Sequence, residues 1–186
     1  MKKAIVLLSL LVIVAMLALV SVSAQDDAEL QPDEEPTFGT VPMVSGFVPD
    51  PWIETVLAGG SINAATIEGG DGCLGNIAAV PDVNIEWLEP GTSPIRVFFV
   101  SDDDTTLVIR DPEGNFFCND DSGLAVDRPL DPVIQLDEPI VGTYNIWVGT
   151  YLQDELADGY LMITEFADTF PGQIVSGLFG EIVEPE

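Results

Sequence analysis

Eight short runs of β-branched and aromatic residues, each closed by a turn rich in proline, glycine or aspartate, follow one another through this chain. They fall at 61–68, 84–87, 95–100, 105–110, 115–118, 132–136, 143–150 and 159–166. In several of them apolar residues alternate with polar ones: Ile85 with Trp87, then Tyr144, Ile146 and Val148, then Leu161 with Ile163. A period of two puts those side chains on one face of a half-buried strand. The run at 95–100 is apolar everywhere but Arg96, which is the pattern of a strand covered on both sides. Glu-Pro-Gly-Thr, Asp-Pro-Glu-Gly and similar tetrapeptides between the runs supply the turns. The stretch from Trp52 reads either as a first strand or as a short helical turn. The expected fold is all-β: a jelly-roll-like sandwich of about eight short strands at 52–166, with a small barrel as the alternative.

The ends of the chain are different in kind. Lys2 and Lys3 precede an apolar stretch over 4–20, and Val22 and Ala24 then stand where a signal peptidase reads small residues. Residues 1–24 are therefore expected to be a cleaved signal peptide, the rival reading being an uncleaved anchor. No cysteine stands at the cleavage position, which argues against a lipoprotein. Six carboxylates crowd 25–36, too polar a segment to bury itself, and the acidic, proline-rich region runs on to residue 51. The tail at 167–186 carries Ile174, Val175, Leu178, Phe179, Ile182 and Val183, an apolar set suited to docking on the sandwich or to meeting a partner. A secreted or periplasmic location follows, without stable membrane insertion once the leader is gone.

Charge narrows the partners. The whole chain has a formal charge of −27, and loss of the leader leaves Arg96, Arg110 and Arg128 facing 32 carboxylates. Such a surface repels phosphate backbones and anionic lipid, so nucleic acid is excluded as a partner, and it attracts cations and basic surfaces. Arg96 and Arg110, rare cations among many acids, are expected to pair with neighbouring carboxylates. Cys73 and Cys118 suit neither a disulfide-rich mini-protein nor a zinc site; in an oxidising compartment they are expected to form one disulfide.

Little here supports catalysis. There is no histidine, which removes the usual serine and cysteine triads, and the two lysines both lie in the leader. Carboxylates abound, but their abundance makes any particular pair uninformative about glycoside hydrolysis. No catalytic residue is expected. The acidic loops are more suggestive. Asp102, Asp103 and Asp104 follow one predicted strand, and Asn119, Asp120 and Asp121 follow another. Calcium takes about six to eight oxygen ligands, so Asp102, Asp104, Asn119, Asp120 and Asp121 are its candidate ligands, and solvated turns stabilised by their own side chains, with Asp127 among them, are the alternative. Tyr144 and Trp147 have opposite parity, so one of them points away from the main core. With Tyr151 it would form an aromatic binding strip, unless it packs beneath the N-terminal segment or the tail.

Three stretches in order carry a resemblance: the run 104–114 ending in Asp111-Pro112-Glu113-Gly114, the loop Cys118-Asn119-Asp120-Asp121, and the strand beginning Gly142-Thr143-Tyr144. Together they resemble the bacterial pre-peptidase C-terminal domain, over about 60–166. The resemblance implies a β-sandwich accessory module of secreted proteases and other exported hydrolases, serving secretion, solubility or attachment; some related collagen-binding modules use calcium. The sequence departs from that pattern in showing no catalytic domain ahead of the module, so a free-standing exported protein is expected. The cysteine pair would be an embellishment. The expected function is an exported non-catalytic module that binds a polysaccharide, a protein or a cell-surface ligand. The alternatives are a structural protein of the envelope or matrix and a small carboxylate-dependent hydrolase.

Overall fold

Alternation along the strands resolves into two inward faces that meet. The computed structural model describes residues 29–91, 93–122, 128–166 and 169, so the leader, Asp127 and nearly all of the 167–186 tail lie outside the described residues. Eleven strands form two sheets, with a single 3-10 turn as the helical element among the described residues. The larger sheet holds β1 (Thr40–Met43), β3 (Ile62–Asn63), β4 (Asn76–Ile77), β5 (Val83–Trp87), β7 (Thr105–Arg110), β8 (Phe116–Asn119) and β10 (Gly142–Thr150). The smaller runs β2-β11-β6-β9, from β2 (Trp52–Ala58), β11 (Ala157–Thr164), β6 (Ile95–Ser101) and β9 (Val133–Leu136). The fold is a β-sandwich with two separate sheets, not a barrel.

Between the sheets lie Ile85, Trp87, Leu107, Ile109, Ile146 and Val148 from one side and Val56, Val97, Phe99, Leu161 and Ile163 from the other, all fully buried. Burying each such side chain stabilises by about 1.5–3 kcal/mol. The central strand β11 tolerates no side chain where Phe99 crosses it: a methyl on Gly159 would stand 2.4 Å from the ring.

Each sheet also buries part of its outer face. On the smaller one Phe98, Val100 and Met162 form a second buried cluster, which is why β6 is apolar at nearly every position. Arg96 donates from Nη1 to the Thr169 carbonyl at 3.2 Å, which sets that residue beside this sheet. On the larger sheet Trp147 and Val108 are roofed by Ile62, Ala64 and Cys73, with Leu30, Ile67 and Phe116 at the margin. The Cys73–Cys118 disulfide, with Cα atoms 5.1 Å apart, ties this roof to β8. Such a bond is what an oxidising compartment allows.

The differences from the predicted strands have local causes. The run at 61–68 is a strand for two residues only; Asn63 then accepts a hydrogen bond from the Ala65 N–H, and the Thr66 hydroxyl donates back to the Asn63 carbonyl, bending the chain into the 3-10 turn Ala64–Thr66. The stretch from Trp52 is a strand, because β11 pairs with it from Trp52 to Ala58. Strand β1, which pairs parallel to β5, and the two-residue β4 were not predicted.

One polar residue organises the centre of the larger sheet. Strand β10 pairs with β5 up to Ile146 and with β4 at Thr150, and Asp82 fills the gap between those two partners. Its backbone N–H donates to the Ile146 carbonyl at 2.8 Å, and its carboxylate Oδ2 accepts from the Val148 N–H at 2.7 Å. The side chain thereby takes the place of a missing strand for one rung of the ladder.

Candidate functional site

The acidic loops that the sequence singles out come together at one end of the sandwich, and the β10–β11 loop joins them. The Tyr151 N–H donates to the Asp104 carbonyl at 3.0 Å, which ties this loop to the β6–β7 turn. Within the loop the Thr150 hydroxyl donates to the Leu152 carbonyl at 2.8 Å, and Asn76 Nδ2 donates to the Tyr151 carbonyl at 3.2 Å. Asp104 is raised above the ordinary carboxylate range by partial desolvation first and then by the charges of Asp121, Asp120 and Glu155. Carboxylates from two further loops thus act on Asp104.

On the same loop stand three exposed large apolar side chains: Tyr151 at 46%, Leu152 at 55% and Leu156 at 67%. Asp154 and Glu155 interrupt them, and Asp154 takes a left-handed backbone conformation with φ of 63°, which aspartate tolerates better than most residues. Leu57, on the neighbouring strand β2, is exposed at 45% and pairs across the sheet with Asp158. Exposed apolar side chains and carboxylates thus alternate along this loop and the neighbouring strand β2.

Of the aromatic strip anticipated from the sequence, Tyr151 alone reaches solvent. Tyr144 faces the main core and is buried; its hydroxyl accepts from the Ile140 N–H at 2.8 Å and donates to the Ile140 carbonyl at 3.2 Å, holding the entry to β10. Trp147 points to the opposite face, as its parity requires, but it is fully buried under the disulfide-tied roof, its ring 6.4 Å from that of Phe116. Neither Tyr144 nor Trp147 is available to a ligand. The correction comes from covering: alternation separates the two faces of a strand without saying whether the second is bare.

The five residues anticipated for calcium divide into two groups. Asp102 lies 3.6 Å from the Arg128 guanidinium, beside Asp131. Asn119 is taken up within its own loop, accepting from the Val133 N–H at 2.8 Å and donating to the Asp121 carbonyl at 3.2 Å. That leaves Asp104, Asp120 and Asp121, and among the described residues no three acidic side chains are close enough together to hold a metal ion.

Two other carboxylates are pushed above their usual range. Burial raises Asp82 to about 7. Asp131 is raised by burial against the opposing pull of Arg128. A raised carboxyl is a candidate acid–base group, but each of these is already committed to holding structure. Asp82 sits inside the sheet on Val148, while Asp131 accepts from Arg128 Nε at 2.5 Å and from the Ser101 N–H at 3.3 Å.

A second concave feature went unseen in the sequence. The guanidinium of Arg110, expected to meet a carboxylate, donates instead to Asn145 Oδ1 at 3.4 Å, and Arg96 bonds Gln135 Oε1 at 2.9 Å. Arg110 opens on a cleft of about 500 Å³ on the outer face of the larger sheet, lined also by Asp33, Asn84, Thr143 and Asn145. Cross-strand register brings Asn84, Thr143, Asn145 and Arg110 together, and register is not written in local sequence.

No protein-family model matches the sequence and no curated protein does, so the resemblance noted above remains one of motif order. Among solved structures the chain is similar to the pre-peptidase C-terminal domain of a collagenase from Bacillus anthracis, at 9% identity and a TM-score of 0.41, over 70% of this chain and all of that one. It is also similar to PliG from Aeromonas hydrophila, a periplasmic inhibitor of g-type lysozyme, at 12% identity and a TM-score of 0.35, over 67% of this chain and 96% of that one. At such identities and TM-scores neither likeness says what this chain binds.

Proposed function

We propose that this chain is an exported, non-catalytic β-sandwich module that docks onto a basic protein surface through the end built by the β6–β7, β8–β9 and β10–β11 loops. The observation that carries this reading is the exposure of Tyr151, Leu152 and Leu156 on one loop whose surroundings are acidic. Exposed apolar side chains grouped inside a polar rim suit a protein interface, with an aromatic anchor near its centre. The rim then decides the partner: the carboxylates whose charges act on Asp104 gain most from a cationic surface, and a net charge already −27 with the leader's two lysines counted draws such a partner in from a distance. Calcium enters this reading as a counter-ion that would relieve the same repulsion. Absence of histidine and the structural commitments of Asp82 and Asp131 support a role without catalysis.

Equilibrium binding of the mature protein to two basic probes, cytochrome c and a lysozyme, with serum albumin as the acidic control, tests the reading. Both probes should bind at low salt, and L152S/L156S should weaken that binding about tenfold or more while leaving the fold intact, as removal of interface anchors does. Binding no stronger than to albumin, or binding unchanged by the double substitution, would contradict it.

A further inference from the structure

The outer face of the larger sheet, remote in role from the docking end, carries a row of polar side chains that the fold does not use up. Register places Asn84 of β5 opposite Asn145 of β10, and Asn145 opposite Arg110 of β7. Phe116 of β8 continues the row beyond Arg110. Asn84 and Asn145 are only 8% and 4% exposed, and polar groups so placed require partners. Asn145 finds them: its Nδ2 donates to the Pro32 carbonyl at 2.9 Å and to Asn84 Oδ1 at 3.0 Å, and its Oδ1 accepts from Arg110. With Asn84 Oδ1 thus accepting, its Nδ2 is left without a partner among the described residues. So are Nε and Nη2 of Arg110, and no described carboxylate comes within ion-pairing distance of that guanidinium.

These donors open into the 500 Å³ cleft, where Asp33 and Thr143 supply acceptors. Pro32 is shared with an adjoining groove of about 800 Å³, whose walls include Asn63, Thr66, Ile67 and Phe116. The two depressions adjoin at Pro32 and are taken together as a trough, with a donor-and-acceptor half and a half in which the Phe116 ring lies among aliphatic side chains, small polar groups and the carboxylates of Glu29 and Glu68.

We propose that this trough binds a neutral oligosaccharide. A pyranose ring presents vicinal hydroxyls at its edge, which both donate and accept, and C–H groups on its faces, which stack on an aromatic or proline surface. Arg110 and Asn84 Nδ2 on one side and Asp33 on the other satisfy the hydroxyls in both senses. An anionic polymer would bring its charge against Asp33, Glu29 and Glu68 and against the field of the whole molecule, and a cationic one would meet Arg110, whose guanidinium pairs with no described carboxylate. A neutral ligand escapes both penalties, and two adjoining depressions offer room for more than one ring.

Native electrophoresis of the mature protein through gels cast with soluble xylan, galactomannan, laminarin or dextran tests this, with alginate and polygalacturonate as acidic counterparts. At least one neutral polymer should retard the protein, and R110A and F116A should each weaken that retardation about tenfold or more, the loss expected when a charged hydrogen bond or a stacking surface is removed. Because F116A borders the core, R110A and N84D serve as variants at less buried or isosteric positions, and amide shift mapping with the retarding polymer's oligomer should place the largest changes at Asn84, Arg110 and Thr143. No retardation by any neutral polymer, preference for the acidic ones, or retardation indifferent to R110A and N84D would overturn the proposal.

Discussion

Asp82 shows how one side chain can make a sheet depend on pH. Burial pushes its carboxyl up to about 7, while in the unfolded chain it titrates near 3.9. Below that lower value both states hold the proton and nothing is lost. Between the two values the unfolded chain releases its proton and the folded chain keeps it, so stability falls as pH rises from about 4 to about 7, by a total of a few kcal/mol. D82N keeps an acceptor for the Val148 N–H and removes the titration. The difference in urea midpoint between pH 4.5 and pH 8 should therefore be clearly smaller in D82N than in wild type; equal differences would show that Asp82 titrates normally. Nothing in the sequence distinguishes Asp82 from the other acids, because its role depends on a gap between β4 and β5 that exists only once β10 is in place. Tyr144 and Trp147 were half legible: their parity put them on opposite faces, but the roof over Trp147 comes from residues far away in the chain.

At the scale of elements, seven of the eight predicted runs lie on strands to within a residue or two at most ends, because period-two alternation and proline or glycine turns are local signals. The eighth, at 61–68, fails where Asn63 caps a turn. Strands β1 and β4 escaped because they are short, and only their neighbours make them strands. The roof at 62–79 is the element most dependent on a covalent tie. Closing a loop across 45 positions stabilises by about 4 kcal/mol on the chain-entropy account, so C73S/C118S should lose stability on that scale in urea titration. The Trp147 amide region should also lose hydrogen-exchange protection first. A loss below about 1 kcal/mol would mean that apolar contacts alone hold the roof.

For the whole molecule, charge is the dominant physical fact, and it was fully legible in composition. What composition could not say is where the charge concentrates. Asp104 feels the charges of Asp121, Asp120 and Glu155 because β7, β8 and β10 are neighbours, and with no group of three acids able to hold an ion among the described residues, cations are expected to stabilise this end by screening. Sodium and calcium chloride at matched ionic strength should raise the melting temperature to similar extents; a saturable rise selective for calcium would reveal a built site instead. The exposed leucines were missed for the same reason as the acids were over-read: an apolar residue in a loop looks like core until its surroundings are known. The most direct test of the docking end is the hydrogen-exchange footprint of the mature protein in complex with cytochrome c. The account predicts new protection at 151–156 and 102–104 that is absent from the outer face of the larger sheet; protection elsewhere with none at that end would contradict it.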